Sequence, residues 1–308
     1  MITVLAGGVG AARLLRGLVR VVDPAEVVVV ANTGDDLVLH GLHVSPDLDT
    51  ITYTLAGAGN PETGWGLAGE TWQAMDSLDH YGGPTWFRLG DRDLGTHLFR
   101  TGRLADGAGL AGVTAEVAEA WGLGFRLLPA TEDRLRTMVT LADGDEVGFQ
   151  EYFVGLRHDV PVSGIRFDGA DDALPGPGVL EAITTAEAVV VAPSNPLVSI
   201  APILAVPGVR DAVAARRESA VAVSPIVGGS ALKGPADRML AEMGHESSVV
   251  GVGRLYRDLV ATLVIDRVDA DLADEVEAEG VRCVVTDTVM RTTEVAAALA
   301  ETTLGAVA

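Results

Sequence analysis

The sequence predicts an α/β fold: a Rossmann-like, mostly parallel sheet flanked by helices, with a β-hairpin insertion. Three observations predict it. Short, mostly apolar runs rich in β-branched residues recur along the chain, as strands buried on both faces require. They alternate with stretches whose apolar residues fall at helical spacing. The first run enters a glycine turn that leads into a helical pattern, "ITVLAGGVGAARLL" (Ile2–Leu15).

In chain order, Ile2–Ala6 reads as a buried strand. "GAARLLRGLVRVV" reads as a helix with Leu14, Leu15, Leu18 and Val19 on one face. Glu26–Asn32 is a second strand, and further strands are expected at Ala188–Pro193, Ser219–Ser224 and Arg282–Asp287. Helices are expected around Thr50–Leu55, Thr71–Leu78, Leu94–Arg100, Val113–Trp121 and Ala236–Met243. The middle differs: two β-rich runs flank Asp143-Gly144-Asp145 as in a hairpin, and Phe167–Gly178 reads as a loop. A hairpin-containing insertion around residues 131–177 is too short for a core of its own. The expectation is therefore one α/β domain over residues 1–308.

Composition narrows the function. The chain is 48% hydrophobic and 21% charged, enough to bury a sizeable core. It carries 43 acidic against 22 basic residues, a net charge of -21. Such a surface repels nucleic acid and anionic membranes, which bind clustered Lys and Arg. An anionic ligand needs local help from backbone N–H groups, a metal ion or a few placed cations. Cys283 is the sole cysteine, so an intrachain disulfide and a Cys-rich metal site are excluded. The start has no basic leader, and no apolar run reaches membrane-spanning length, so a cytoplasmic location is expected.

The opening turn departs from both familiar phosphate loops. Gly8-Val9-Gly10 is followed by Ala11-Ala12-Arg13, without the third glycine of a dinucleotide fingerprint, and no Walker A pattern is present there. Small residues still let a ligand approach, a helix N-terminus offers free N–H groups, and Arg13 lies one turn into the helix. The competing reading is a tight strand–helix turn with no ligand.

Asp35 and Asp36 follow the second strand, where open α/β sheets place ligands, and Asp47 and Asp49 follow on a loop expected to cap the next helix. Carboxylates so crowded need a cation or hydrogen bonds, and oxygen-only ligands point to Mg2+. The plainer alternative makes Asp47 an N-cap, Asp36 solvated and Asp35 a turn residue. His40 and His43 lack a matching partner and read as surface or packing residues. Asp91 to Asp93 read by themselves as a helix start. Ser194 and Asn195 follow a strand directly and can cap a helix or bind a ligand. Lys233 is the single lysine of the chain, in a glycine-rich loop. It reads equally as a phosphate contact or as a solvated side chain.

Taken together, "GGVGAARLL", "NTGDDLVLHGLHVSPDLDT", "NPETGWG", "LGDRDLGTHL", "GFQEYFV", "APSNPLVSI" and "SPIVGGSALKGPAD", in this order, carry a resemblance. The chain resembles the 2-phospho-L-lactate transferase family of coenzyme F(420) biosynthesis, whose actinobacterial members are also described as phosphoenolpyruvate transferases. The resemblance implies a guanosine diphospho donor carrying a three-carbon acid and the deazaflavin Fo as acceptor. The terminal ribityl hydroxyl attacks phosphorus, GMP leaves, and Mg2+ assists. A homodimer is implied too. Carried onto these residues, it implies Asp35 and Asp49 as the catalytic, metal-holding pair with Asp36 behind them. Gly7, Gly8 and Gly10 then take phosphate, Ser194, Asn195 and Lys233 take the nucleotide, and Asp91, Arg92 and Thr96 line the deazaflavin pocket. A non-catalytic UDP-sugar-binding regulator of related fold is the alternative. A nicotinamide-dependent oxidoreductase is disfavoured by the missing glycine and the acidic quartet.

Overall fold

The structure is a computed structural model and describes residues 1–307. Strands β1 (Ile2–Ala6) and β2 (Val27–Ala31) are buried along their whole length. They lie side by side in a seven-stranded sheet. Its spatial order is Arg282–Thr286, Thr262–Asp266, Ala220–Val223, Ala188–Val191, β1, β2 and Arg126–Pro129. Every neighbouring pair is parallel. The chain builds outward from β1 through β2, then returns to pair Ala188–Val191 with the other side of β1. The order therefore reverses between those two strands, and the crevice beyond their carboxyl ends is where such sheets bind ligands.

Alternate side chains of each strand feed two cores. Leu5, Val28, Val30, Val189 and Val191 pack on one face, and Val4, Ala6, Val29, Ala31 and Val190 on the other. Each such buried Val or Leu contributes about 1.5–3 kcal/mol of transfer free energy. Helix α1 (Gly8–Val21) covers the second face with Leu14, Leu15 and Leu18. It lies against the C-terminal helix Thr293–Gly305 so closely that a Cβ on Gly17 would stand 2.2 Å from the Ala296 carbonyl carbon.

Three more helices build the site. Helix α2 (Pro46–Leu55) starts at Ser45 with proline in its first turn. Helix α3 (Gln73–His80) and helix α4 (Asp93–Ala105) follow. Between the third sheet strand and Ala188–Val191, the strands Arg136–Leu141, Glu146–Gly148 and Val162–Asp168 form a separate antiparallel sheet. Gly144 turns its hairpin at φ +94°.

Several expectations change. Asp47 and Asp49 lie inside the first turn of α2, not on a capping loop, because Pro46 starts the helix earlier. The run after Gly148 leaves the sheet and coils as a π-helical turn at Glu151–Gly155. Two strands of the seven-stranded sheet escape the sequence pattern. Arg126–Pro129 is a short edge strand ending in proline. Thr262–Asp266 continues an apolar stretch that periodicity cannot divide into helix and strand.

Candidate functional site

A cavity of about 440 Å³ opens at the crevice between β1 and Ala188–Val191. The β1–α1 turn forms its floor. Gly7 is extended, and Gly8 adopts φ +73°, which glycine enters without a Cβ penalty. A Cβ on Gly8 would meet nothing within 4 Å, so the space above it is open. Gly7 and Gly10 leave room for the protein instead. A Cβ on Gly7 would stand 2.8 Å from Ser199 Cβ, and one on Gly10 would stand 2.2 Å from the Pro193 carbonyl oxygen. Ser194 joins the two strand ends: its Oγ donates to the Gly7 carbonyl at 2.7 Å and accepts from the Gly7 N–H at 3.2 Å. Asn195 Oδ1 accepts from the Leu197 N–H and caps the following turn. Arg13 lines the cavity and has no ion-pair partner among the described residues.

Asp35, Asp47 and Asp49 all border the cavity, but their environments differ. Asp47 is held by the protein: Oδ1 accepts from the Gly8 N–H at 2.7 Å and Oδ2 from Asn32 Nδ2 at 3.0 Å. Burial still raises its pKa to about 6. Asp35 is buried, and its Oδ1 has no hydrogen-bond partner. Burial, then the charges of Asp47 and Asp36, push its pKa well above the ordinary value. Asp36 accepts from Ser45 Oγ, leaves Oδ1 unpartnered, and is raised by burial to about 8. Asp49 has its countercharge already: both oxygens are taken by the buried Arg100 guanidinium. Among the described residues, no three His, Cys, Asp or Glu side chains are arranged around a single ion position.

The structure thus brings Asp35 together with Asp47, and gives Asp49 to Arg100. Asp91, Arg92 and Thr96 lie off the cavity wall, which Asp93 and His97 of the same segment occupy. Asp91 accepts from the Gln73 and Ala74 N–H groups at the start of α3. Arg92 donates to the Ala68 carbonyl, and Thr96 Oγ1 lies 2.8 Å from the Tyr53 hydroxyl. Lys233 lines the cavity and donates to the Thr63 carbonyl at 3.1 Å, joining two loops at its rim.

Sequence reasoning missed Asn32, Tyr53, Asp93, His97 and Arg100. The last three were legible as i, i+4, i+7 polar positions on one helix face. It also missed the apolar end of the cavity, where Trp65, Phe87, Phe149 and Phe153 supply flat surfaces suited to a planar ring. No single helix among the described residues is long and apolar enough to cross a membrane.

Comparison with known proteins shows the family and the fold. A phosphoenolpyruvate transferase of Streptomyces griseus is 47% identical over 308 residues, covering 98% of this chain and 97% of its own. Another, of Streptomyces coelicolor, is 48% identical over 287 residues, covering 92% and 90%. A crystal structure of a UPF0052 family protein from Bacillus halodurans shares the fold, with a TM-score of 0.63 at 18% identity over 98% of both chains. The family model of 2-phospho-L-lactate transferase CofD matches residues 2–304. The chain belongs to the 2-phospho-L-lactate transferase CofD family and is a transferase.

Proposed function

We propose that this transferase moves a phosphoenolpyruvyl, or 2-phospholactyl, group from a guanosine diphospho donor to the ribityl hydroxyl of the deazaflavin Fo in coenzyme F(420) biosynthesis, releasing GMP. The observation that carries the reading is the buried Asp35 carboxylate, its Oδ1 unpartnered, beside Asp47 on the cavity wall next to the N-terminus of α1. A diphosphate needs both halves of that arrangement. The helix N-terminus and Arg13 attract its negative charge, while the carboxylates can reach it only through a cation.

Asp35 and Asp47 fit Mg2+. They offer hard oxygen donors, one oxygen is orphaned, and burial leaves their charge uncompensated. Mg2+ is ordinarily held by one or two carboxylates with substrate phosphates completing its shell. In this reading Asp47 replaces Asp49 beside Asp35, because Arg100 already occupies Asp49. When bound, the ion neutralises charge that accumulates on the phosphoryl oxygens and the departing phosphate. Asn32 and the Gly8 N–H keep Asp47 aimed. Ser194 holds the floor to its neighbouring strand, and Lys233 adds a cation at the rim. The aromatic end receives the deazaflavin ring. Catalysis then consists mainly of positioning and charge neutralisation. The same reading treats residues 1–308 as one catalytic domain that assembles as a homodimer.

A thermal-shift panel tests it, because ligands that bind only the folded chain raise its melting temperature. Fo and Mg2+-GDP are expected to stabilise, GDP without Mg2+ much less, and NAD not at all. Stabilisation by a UDP-sugar, with none by Fo or Mg2+-GDP, overturns the proposal.

A further inference from the structure

The acceptor hydroxyl must give up a proton as it attacks phosphorus, and the carboxylates assigned to the cation are committed elsewhere. A second polar network borders the same cavity. The Tyr53 hydroxyl donates to Asp93 Oδ1 at 2.6 Å. His97 lies one turn further along α4, 1% exposed, with Nε2 3.3 Å from Asp93 Oδ2, an ion-pair distance, and no hydrogen-bond partner for that nitrogen. Its Nδ1 lies 3.4 Å from Arg100 Nη1 and 3.7 Å from Asp49 Oδ2. Arg100 in turn grips both oxygens of Asp49.

Donor and acceptor roles follow from the chemistry of each group. Arginine only donates. His97 Nδ1 faces the Arg100 guanidinium and Nε2 faces Asp93, so both ring nitrogens are turned toward protein groups. Its Nε2 is buried, so His97 is not placed to take a proton from the acceptor hydroxyl. Tyr53 is held protonated, since burial and the charges of Asp49 and Asp93 push its phenol far above the ordinary value. Asp49 is saturated by Arg100. Asp93 is what remains: its side chain is 14% exposed, it lines the cavity, and the bonds and charge of its partners outweigh burial and keep it ionised.

We infer that Asp93 is the general base for the acceptor hydroxyl, with His97 and Tyr53 as positioning residues that hold its carboxylate toward the cavity. The inference rests on the proposed transfer to a primary hydroxyl. As the hydroxyl oxygen forms its bond to phosphorus, its proton passes to Asp93. The phosphorus–oxygen bond to the nucleotide breaks, and its electron pair leaves on the phosphate of GMP. Asp93 later returns the proton to water, so no other reactant is needed.

The test compares wild type with Asp93→Asn, which keeps the shape and removes the basic oxygen. Both are assayed for turnover with Fo and the guanosine diphospho donor, and for Fo binding by fluorescence. Loss of a general base lowers kcat by about 100-fold or more, while Fo affinity and KM stay within roughly threefold. Should Asp93→Asn fail to fold, His97→Gln and His97→Leu replace it. Glutamine keeps an N–H donor and is expected to retain more kcat than leucine. Equal losses overturn the inference. An active wild type with unchanged kcat in Asp93→Asn overturns the role of Asp93 alone. A wild type that neither binds Fo nor releases GMP overturns the parent reading and this inference with it.

Discussion

Gly10 and Pro193 pack backbone to backbone: a Cβ added at position 10 would stand 2.2 Å from the Pro193 carbonyl oxygen. The contact pins the first turn of α1 to the end of the Ala188–Val191 strand, across the point where the sheet order reverses. Gly10→Ala is expected to destabilise the fold by roughly 1–3 kcal/mol through overpacking, measured by urea unfolding. Gly8→Ala meets no atom, but its φ of +73° strains a Cβ-bearing residue, and a cost of about 1 kcal/mol is expected. A neutral Gly10→Ala would show that the strand end yields easily.

Asp35 illustrates a functional group that the fold tolerates rather than uses. It is buried, partly unpartnered and beside like charges. Without Mg2+, near neutral pH, Asp35→Asn is expected to raise Tm by on the order of 2 °C, because it removes that repulsion. The same variant is expected to lose about 100-fold or more in turnover and its Mg2+-dependent stabilisation. A lower Tm would argue that the carboxylate is satisfied by contacts of its own.

Arg100 and Asp49 are both buried, so breaking the pair leaves one charge uncompensated. Arg100→Met is expected to cost about 3–5 kcal/mol, and Arg100→Met with Asp49→Leu much less than the two single changes added together. Chemical denaturation of the four proteins checks this. Additive losses would mean that the two side chains do not interact.

Asp266 closes the end of its strand against the segment that follows Arg282–Thr286. It accepts from the Thr288 N–H at 2.7 Å and the Thr288 hydroxyl at 2.9 Å. Burial raises its pKa, but these hydrogen bonds outweigh burial and leave it below the ordinary 3.8. A carboxyl depressed in the folded state contributes stability above its unfolded pKa and loses it as pH falls through the folded value. Wild-type Tm is therefore expected to fall as pH drops below about 4. Asp266→Asn is expected to start lower near neutrality and to show a shallower acid decline. Parallel curves would remove Asp266 from the acid response.

Much of the architecture was written in local pattern. The mostly apolar, β-branched runs at Ile2–Ala6 and Ala188–Val191, closed by the glycine turn and by Pro193, read as strands buried on both faces. The glycine turn, the Asp35-Asp36 doublet and Ser194-Asn195 all follow such strands, so their convergence at the carboxyl end of the sheet was legible too. Thr262–Asp266 was not, because a short apolar stretch has no period to separate helix from strand.

Which carboxylate does what was decided only in three dimensions. Asp47 and Asp49 are two residues apart on α2, and sequence gives no reason to separate them. One turns toward Asn32 and the Gly8 N–H, the other toward Arg100, 51 residues away. Similarly, "LGDRDLGTHL" carries three charged residues in a row, and only the packing of α4 on α2 brings Asp93 and His97 to the cavity while Asp91 caps α3. Local sequence determines backbone conformation and which faces are apolar. The charge state and role of a buried polar group depend on partners distant in the chain, and those exist only once the helices have docked.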